Sequence, residues 1–427
     1  MQRYTRLVLI ILAGAFAGFI GFNAVIDPYD TGTGPDIAGI NAEKTRGHED
    51  GRRVQVGHQL GQTGARSAIT GSSRTVDGFP MTVEDWPGGL YNAGIRGSNA
   101  FELAHLAAIA GQQADLRCFV IGLDTDEFTS GDKYKPAFPI SRLADGNRWL
   151  ATARVTLSPN TFARATQTLA ENITGNRPEP PFRDVYEPGV QYQRFVNTPL
   201  PRLTYYRTMR VSSERMDFLF STLEALAREG VQVIGYIHPV HAWNEESLFA
   251  AGREQVYFDF RVEMARRFEA LAKQAGGEPV APCVPGGAGV LWDFSGFQGP
   301  STSPLPGAEQ TVSHDIYHEP AHYLPSLGLS MLARMRSGPS EREDAFGILL
   351  SGADPRMSEA AILARREAYL ETEDGQRLTD MLAPAIASAA APRGFQSVPI
   401  SHAERRTLHR LNRQIAARQQ REQALND

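Results

Sequence analysis

The longest uncharged segment of the chain lies at its N-terminus. Leu7–Ile26 contains twenty residues without a charged side chain. As a helix rising about 1.5 Å per residue, it would span the roughly 30 Å hydrocarbon core of a bilayer. Arg3 and Arg6 precede it, which favours a cytoplasmic N-terminus and an exported remainder. We therefore predict a transmembrane anchor over residues 1–26, in an inner membrane, with the soluble domain in the periplasm.

Two other interpretations of this segment were weighed. A cleaved signal peptide usually has a shorter apolar core, of about 7–15 residues, and ends in an A-x-A-like site. Here the apolar run continues into FNAVIDPYD without such a site. A buried core helix is the third interpretation, and the terminal position and uninterrupted length argue against it. The pattern favours an uncleaved anchor.

Beyond this segment, short apolar runs of strand length alternate with runs that have helical periodicity. The predicted strands are Ala65–Thr70, Leu116–Leu123, Val231–Ile237 and Val290–Phe294. The predicted helices are Asn99–Ala110, Met216–Arg228 and Val256–Gln274. Continuous apolar strands are typical of strands buried on both faces, and their alternation with helices indicates a parallel sheet. We predict an α/β fold with three layers and a doubly wound, mostly parallel sheet.

Polar segments divide this pattern into regions. Residues 27–53 are rich in Gly, Asp and Pro and are predicted to form a linker. Residues 54–350 form the predicted α/β domain, in which the polar, poorly periodic stretch of about 128–201 is interpreted as an irregular insertion or lid. Residues 351–427 are predicted to be a helical, Arg-rich C-terminal extension, with a helix over His402–Ala424 whose charges form a solvated face.

Composition narrows the possible classes of protein. The 427 residues are 42% hydrophobic, so a sizeable core is feasible. A net charge of −5 and a pI near 6.1 give no basic surface for nucleic acid. The two cysteines, Cys118 and Cys283, have no neighbour at metal-ligand spacing. They predict either one disulfide in an oxidising compartment or two separate buried thiols.

Two glycine-containing motifs are candidates for chemistry. Gly71–Arg74 (GSSR) follows the first predicted strand, at the edge of the sheet where open α/β folds bind ligands. A serine there could be a nucleophile if a base lies beside it, although Gly-Ser-Ser is also common in turns. Tyr91–Asn99 (YNAGIRGSN) could bring backbone N–H groups close to a substrate oxygen, or could be a tight turn with Ser98 or Asn99 as helix N-cap.

Two further motifs carry acidic and imidazole side chains. Gly122–Phe128 (GLDTDEF) contains three acids, which could bind a metal or form a solvated exit from the strand. In Tyr317–Tyr323 (YHEPAHY), Glu319 and His322 have the spacing of a carboxylate that orients an imidazole, and Asp315 with His318 is the rival pair. Histidines cluster at His238/His241 and at His314/His318/His322, a pattern that could also indicate zinc.

The order of these four motifs resembles the four sequence blocks of the SGNH hydrolases. The resemblance extends to envelope-anchored, alginate-acetyltransferase-like proteins with an SGNH-like fold. The shared features are DPYD after the anchor, IHPVHAW, LWDFSGF and FGILL. It covers about Asp27 to Leu350 and implies an SGNH-like α/β domain.

The resemblance also implies roles for individual residues. Ser73 would be the nucleophile, His322 the general base and Glu319 the carboxylate that orients it, in place of the usual aspartate. Gly97 and Asp124 would lie at the oxyanion. Asp124 stands where the family has an asparagine, and an ionised aspartate cannot donate a hydrogen bond.

The implied function is serine-dependent transfer or hydrolysis of an ester-linked acyl group, probably of the O-acetyl class, on an exported cell-envelope polysaccharide. No cofactor or metal is expected, and a multi-pass membrane acyltransferase is the implied partner. Two other functions stay open: a non-catalytic glycan-binding or assembly protein, and a metal-dependent hydrolase that uses the histidine clusters.

Overall fold

Two compact units make up the chain in a computed structural model. The structure describes residues 2–44, 49–129, 134–135, 137–176, 186–275, 277–312, 314–340, 346–351, 354–386 and 401–417. The first unit combines residues 1–63 with 134–181, and the second combines residues 64–133 with 182–427. This division does not coincide with the boundaries at residues 27, 54 and 351 that the sequence predicted.

The secondary structure alternates strongly along the second unit. The described helices are α1 (Gln2–Ile26), α2 (Glu49–Gln59), α3 (Ser73–Gly78), α4 (Ala100–Ala110), α5 (Arg148–Leu157), α6 (Pro159–Thr174), α7 (Val190–Asn197), α8 (Pro199–Thr208), α9 (Ser213–Arg228), α10 (Ala242–Ala250), α11 (Glu254–Gln274), α12 (Pro325–Ser337), α13 (Glu359–Leu370), α14 (Glu373–Ile386) and α15 (His402–Ala416). The described strands are β1 (Ser67–Thr70), β2 (Thr82–Val83), β3 (Leu90–Asn92), β4 (Cys118–Leu123), β5 (Gln232–Ile237), β6 (Gly289–Asp293), β7 (Tyr317–Glu319), β8 (His322–Tyr323) and β9 (Ile348–Leu349).

In the first unit, the end of α1 packs against α5 and α6. The rings of Phe19 and Phe22 lie 5.3 and 5.2 Å from the ring of Phe162. Asn23 donates a hydrogen bond to the backbone carbonyl of Thr156 at 2.8 Å. The earlier large apolar side chains of α1, such as Ile10, are exposed. α1 is long and apolar enough to be a single membrane span or a signal sequence.

If α1 is an uncleaved anchor, the mature protein should keep its N-terminus. We expect mass spectrometry to find a chain that begins at Met1 or Gln2. The protein should also stay with membranes after a high-salt wash, because burial of apolar side chains in lipid does not depend on ionic strength. Recovery of a soluble form that begins near Asp27 would identify a cleaved signal instead.

A seven-stranded sheet forms the centre of the second unit, in the order β2-β3-β1-β4-β5-β6-β9. β3, β1, β4, β5 and β6 are parallel, whereas the two edge strands β2 and β9 pair antiparallel. The four predicted strands correspond to β1, β4, β5 and β6. The prediction of an α/β fold with a mostly parallel sheet and an N-terminal apolar helix is confirmed.

Both faces of this sheet are covered. On one face, the backbone at Gly235 lies so close to α11 that an added Cβ would be 2.2 Å from the ring of Phe268. On the other face, Ile234 and Tyr236 belong to a core cluster that includes Met331 of α12. Neighbouring residues of a strand point to opposite faces, so burial on both sides explains the continuous apolar pattern of β5.

The cysteine alternatives are resolved in favour of the disulfide. Cys118 at the start of β4 is bonded to Cys283, which lies in the segment before β6. The bond links parts of the chain 165 residues apart. A disulfide of this kind is typical of proteins from oxidising compartments.

The prediction of irregular structure over residues 128–201 is wrong for the residues that the structure describes. They form the helices α5, α6, α7 and α8. The prolines that made this stretch look irregular include Pro159 and Pro199, each the first residue of a helix. Proline is favoured at that position because its missing N–H has no intrahelical partner there.

The predicted linker, residues 27–53, is also more ordered than expected. The Asp27 carboxylate accepts hydrogen bonds from the backbone N–H groups of Thr31, Gly32 and Thr33. The Asn41 side chain donates to the backbone carbonyl of Val25 at 2.6 Å. Polar side chains therefore hold the segment after α1 in a hydrogen-bonded loop, and α2 begins before the predicted linker ends.

The C-terminal extension is helical over the described residues, as the sequence predicted. α15 contacts α9 and α4, and α14 contacts α8 and α10. On α13, Arg366 donates to both carboxylate oxygens of Glu246, at 2.6 and 2.7 Å. At least one of its arginines is therefore a packing group and not part of a solvated face. The predicted helix residues 418–424 lie outside the described residues.

Candidate active site

The predicted site residues meet at the carboxyl edge of the parallel strands. Ser73 follows β1, Gly97 follows β3 and Asp124 follows β4. β1 lies between β3 and β4 in the sheet, so the three loops are neighbours. The carboxyl edge of a parallel sheet is where open α/β folds bind ligands.

Ser73 lies in hydrogen-bonding contact with a histidine that is distant in sequence. Its Oγ is 2.6 Å from Nε2 of His322. The other ring nitrogen of His322, Nδ1, contacts a carboxylate oxygen of Glu319. The structure thus brings together all three residues that the sequence predicted as nucleophile, base and orienting carboxylate. An Nδ1–H that donates to Glu319 leaves Nε2 free to accept the Ser73 proton.

A short hairpin holds the histidine and the carboxylate together. β7 and β8 pair antiparallel, and Glu319 is the cross-strand partner of His322. Only Pro320 and Ala321 lie between them, so the spacing of three in sequence places the two side chains opposite each other. Directly opposed residues have Cβ atoms about 4.5–5.5 Å apart, a distance at which a carboxylate can reach an imidazole.

The surroundings of Glu319 favour its ionised form. Burial alone would raise the pKa of this carboxyl, but the attraction of His322 and hydrogen bonds from His322 and from the Ala321 N–H lower it to about 2. The Ala321 N–H lies 3.0 Å from Oε2, and the Thr198 hydroxyl donates to the same oxygen at 3.3 Å. An ionised Glu319 can stabilise a positively charged His322.

The Gly97 turn presents a backbone N–H near the site. Gly97 has φ +59°, a left-handed conformation in which glycine is favoured, and an added Cβ would meet open space. Among the described residues its N–H donates to no protein acceptor. Asn99 has the structural role that the sequence offered as an alternative, because its side chain caps α4 by accepting from Phe101 and Glu102.

Asp124 does not fit the oxyanion position that the resemblance implied. Its carboxylate forms an ion pair with Arg74 and accepts from the Asp126 N–H at 2.6 Å. Its own N–H donates to the carboxylate of Glu127 at 2.8 Å. A carboxylate with these contacts has no hydrogen to offer to an oxyanion. Asp124 instead caps the short helical turn that follows β4.

Arg74 is a site residue that the sequence analysis quoted only as part of GSSR. It is buried, and its Nε donates to the carbonyl of Ala321 at 2.9 Å. Its guanidinium also pairs with Asp124 and faces Asp126. One side chain therefore links the Ser73 turn, the loop after β4 and the hairpin that carries His322. Its position directly after Ser73 was the only sequence signal for this role.

A second missed pair lies beside the base. Asp77 of α3 pairs with Arg96, the residue before Gly97. Burial raises the pKa of Asp77 to about 6, although His322 and Arg96 both attract its charge. The ion pair connects the Gly97 turn to the helix that begins at Ser73. The positions of both donors relative to the serine are thereby fixed.

The rival pair, Asp315 and His318, has a different environment. Nδ1 of His318 lies 2.8 Å from the Tyr186 hydroxyl, and Arg194 donates to Nε2. Burial, together with repulsion from Arg194, lowers the pKa of His318 to about 3. A ring whose two nitrogens are engaged in this way is a poor general base for Ser73.

The remaining clustered histidines make hydrogen bonds to the backbone. His241 caps α10 through Nδ1 and donates from Nε2 to the Ser303 carbonyl at 2.8 Å. His314 accepts from the Ile316 N–H and donates to the Pro304 carbonyl at 3.1 Å. Both are neutral side chains with satisfied nitrogens, so the histidine clustering has a structural explanation.

The acids after β4 do approach one histidine. One ligand atom each of Asp124, Glu127 and His238 lies within 4.8 Å of the others. Arg74 already pairs with Asp124 and supplies positive charge at this position. A further cation would meet repulsion from that guanidinium.

The contacts of Ser73 with His322, and of His322 with Glu319, are therefore the features of the molecule from which its chemistry follows. Among protein-family models, curated proteins and solved structures, none matches this chain.

Proposed function

We propose that this protein catalyses acyl transfer or ester hydrolysis through a covalent intermediate on Ser73. The observation that carries the proposal is the 2.6 Å contact between Ser73 Oγ and His322 Nε2, with Glu319 on the other ring nitrogen. A serine hydroxyl becomes a useful nucleophile when an adjacent base removes its proton. A carboxylate that fixes the tautomer of that base completes the requirement.

The steps follow from these contacts. Ser73 Oγ attacks the acyl carbonyl carbon while its proton passes to His322 Nε2. The resulting imidazolium is stabilised by Glu319. Collapse of the tetrahedral intermediate breaks the ester bond, and His322 returns the proton to the leaving alcohol. Water or a sugar hydroxyl then attacks the acyl-enzyme, with His322 as base, and releases the free acid or a new ester.

Backbone groups are the best candidates for the oxyanion site. The N–H of Ser73 is the first of α3 and has no intrahelical partner. The Gly97 N–H is the second donor, as the resemblance implied. Two donors in place of three would weaken catalysis, since removal of one oxyanion donor typically costs about 2.7–4 kcal/mol of transition-state stabilisation. The ion pair of Asp124 with Arg74 makes this reduced site the expected one.

The location and substrate are proposed from three observations. The apolar helix α1 and the Cys118–Cys283 disulfide both support an exported, oxidising location such as the periplasm. A shallow groove of about 720 Å³ lies beside Glu319, lined by polar side chains that include Gln193, Arg194 and Asn197. Such a lining suits a hydroxylated acceptor. With the SGNH-like resemblance, these features support O-acetyl groups on a cell-envelope polysaccharide as the substrate.

Pre-steady-state hydrolysis of p-nitrophenyl acetate tests the proposal. We expect a burst of p-nitrophenol whose amplitude approaches one equivalent per protein, because acylation of Ser73 releases the phenol before deacylation limits the rate. Chelator should leave the burst unchanged. No burst and no turnover would favour a non-catalytic glycan-binding protein, whereas loss of turnover with chelator would favour a metal-dependent hydrolase.

A further inference from the structure

A line of buried polar contacts runs beneath the candidate active site. Nδ1 of His238 lies 3.1 Å from the hydroxyl of Tyr323, the residue after His322. Tyr323 is hydrogen-bonded to Tyr236. The Tyr236 hydroxyl is 2.9 Å from Oγ1 of Thr75, which lies two residues after Ser73. These contacts join the segment that carries the base to the helix that carries the nucleophile.

Two atoms at the far end of this line lack partners. Nε2 of His238 and Oε1 of Glu127 are buried and have no hydrogen-bond partner among the described residues. A carboxylate oxygen and a ring nitrogen of this pair lie within 4.8 Å of each other. One side-chain rotation or one bridging water would connect them. Leaving both atoms unpaired would cost about 1–3 kcal/mol for each group.

The backbone makes room for this arrangement. An added Cβ at Gly122 of β4 would lie 2.5 Å from the imidazole of His238. Glycine at this strand position therefore allows the ring to lie against the sheet beside the loop that carries Glu127. Glycine inside a strand often marks such a close approach.

The charges around Glu127 indicate which form of the pair is present. The charged or titratable groups, and one hydroxyl, that face it or lie within its cluster are Ser72, Arg74, Asp124, Asp126, Tyr236 and His238. Asp124 pairs with Arg74, and Asp126 pairs with Arg202 at 2.8 Å. Glu127 is then the acid in this group without a guanidinium of its own. Burial raises its pKa to about 8, only partly offset by Arg74 and reinforced by Asp126.

We propose that Glu127 is a positioning residue, whose protonated carboxyl donates to His238 and sets the direction of the buried hydrogen bonds that align His322 with Ser73. His238 Nδ1–H then donates to Tyr323, Tyr323 to Tyr236, and Tyr236 to Thr75. The Thr75 hydroxyl completes the series by donating to the Thr70 carbonyl at 3.4 Å. Burial lowers the pKa of His238 well below its usual value, so the ring stays neutral. A neutral imidazole can accept at Nε2 only while it donates from Nδ1.

Ionisation of Glu127 would reverse this series. An ionised carboxylate accepts from His238 Nε2–H, so Nδ1 becomes an acceptor for Tyr323. Every hydroxyl would then turn, and the donor to the Thr70 carbonyl would be lost. The donating arrangement should be present below about pH 8 and lost as the pH rises through the pKa of Glu127.

The test compares Glu127→Gln with Glu127→Leu, and it rests on the proposed function of Ser73. The readout is the rate of acyl-enzyme formation with p-nitrophenyl acetate between pH 6 and about pH 10, with Ser73→Ala as the chemical blank. The glutamine amide can donate to His238 at every pH, and its oxygen can still accept from the Asp124 N–H. We expect it to keep the neutral-pH rate within about threefold and to lose the alkaline decline of the wild type. Leucine should slow the step by about 10- to 100-fold, because small misplacements of reacting groups have effects of that size.

Glu245→Gln is the matched control. Glu245 is also buried, and burial raises its pKa to about 7, but it lies on α10, outside the series. This variant should keep the alkaline decline. A wild-type decline in Glu127→Gln, an unchanged neutral rate in Glu127→Leu, or a rate that depends on added zinc or chelator would overturn the proposal.

Infrared difference spectra separate this inference from the function itself. The carbonyl band of a protonated carboxyl should be present at pH 7, vanish above about pH 9 and be missing in Glu127→Gln. If the band behaves so but Ser73 never acylates, the proposed function fails while the buried proton stands. If Ser73 acylates but the band is missing, the assignment of the proton to Glu127 is wrong.

Discussion

Replacing Ser73 with alanine should abolish labelling of the protein by a serine-directed fluorophosphonate and reduce ester turnover by at least about 10⁴-fold. Ser73 Oγ is the atom that lies 2.6 Å from the candidate base, and no other atom of the side chain can form the acyl-enzyme. Residual turnover would come from the oxyanion donors and substrate binding, which survive loss of the nucleophile in other serine hydrolases. In-gel fluorescence and the p-nitrophenol burst measure both effects.

Ser72→Ala is the control, since it removes the same hydroxyl one position earlier. Ser72 is buried and is the N-cap residue of α3, but its side chain makes no capping hydrogen bond. This variant should label like the wild type. Both variants should remain folded, because loss of one hydroxyl typically changes the free energy of unfolding by about 1 kcal/mol. Equal labelling of Ser73→Ala and wild type would remove the enzymatic proposal.

The central strands were predictable because their signal is local. Cys118–Leu123 and Gln232–Ile237 are buried at every position, so their apolar runs directly reflect burial on both faces of the sheet. The edge strands β2 and β9 are only two residues long. They exist because a neighbouring strand is present to pair with them. Such short strands have no periodicity of their own that a sequence could reveal.

Helices were missed where polar residues and prolines obscured the pattern. α6 buries Thr161, Ala165 and Thr168 along one face, a stripe of small side chains without a large apolar residue. Its ends did carry recognisable signals, namely Pro159 at the first position and Gly175 in the left-handed conformation after the last. End signals were the better guide here than hydrophobicity.

The candidate site divides in the same way. Ser73, His322 and Glu319 could be found from short motifs, because each motif combines a reactive side chain with a loop at a strand end. Arg74 and Glu127 could not be assigned, since their roles depend on contacts between segments that are distant in sequence. The fate of Asp124 followed from the same cause. Its chemistry was fixed by the Arg74 guanidinium, which the sequence places fifty residues earlier.

The second large effect is expected from His322 and distinguishes it from His318. His322→Ala should lower ester turnover by about 10⁴- to 10⁶-fold, the range seen when the base of a serine triad is removed. His318→Ala should keep turnover within about tenfold, because the ring of His318 is engaged by Tyr186 and Arg194. Its main consequence should be a loss of stability of about 1–3 kcal/mol from the hydrogen bonds of a buried group, measured by thermal unfolding.

Added imidazole provides a second readout that a purely structural role would not produce. The truncated side chain of His322→Ala leaves space between Ser73 and Glu319, and free imidazole bound there can accept the Ser73 proton while donating to the carboxylate. We expect imidazole to restore part of the turnover of His322→Ala, with saturation, and to have no such effect on Ser73→Ala, which lacks the proton to transfer. Rescue of His318→Ala instead, together with full activity of His322→Ala, would move the general base to His318 and Asp315.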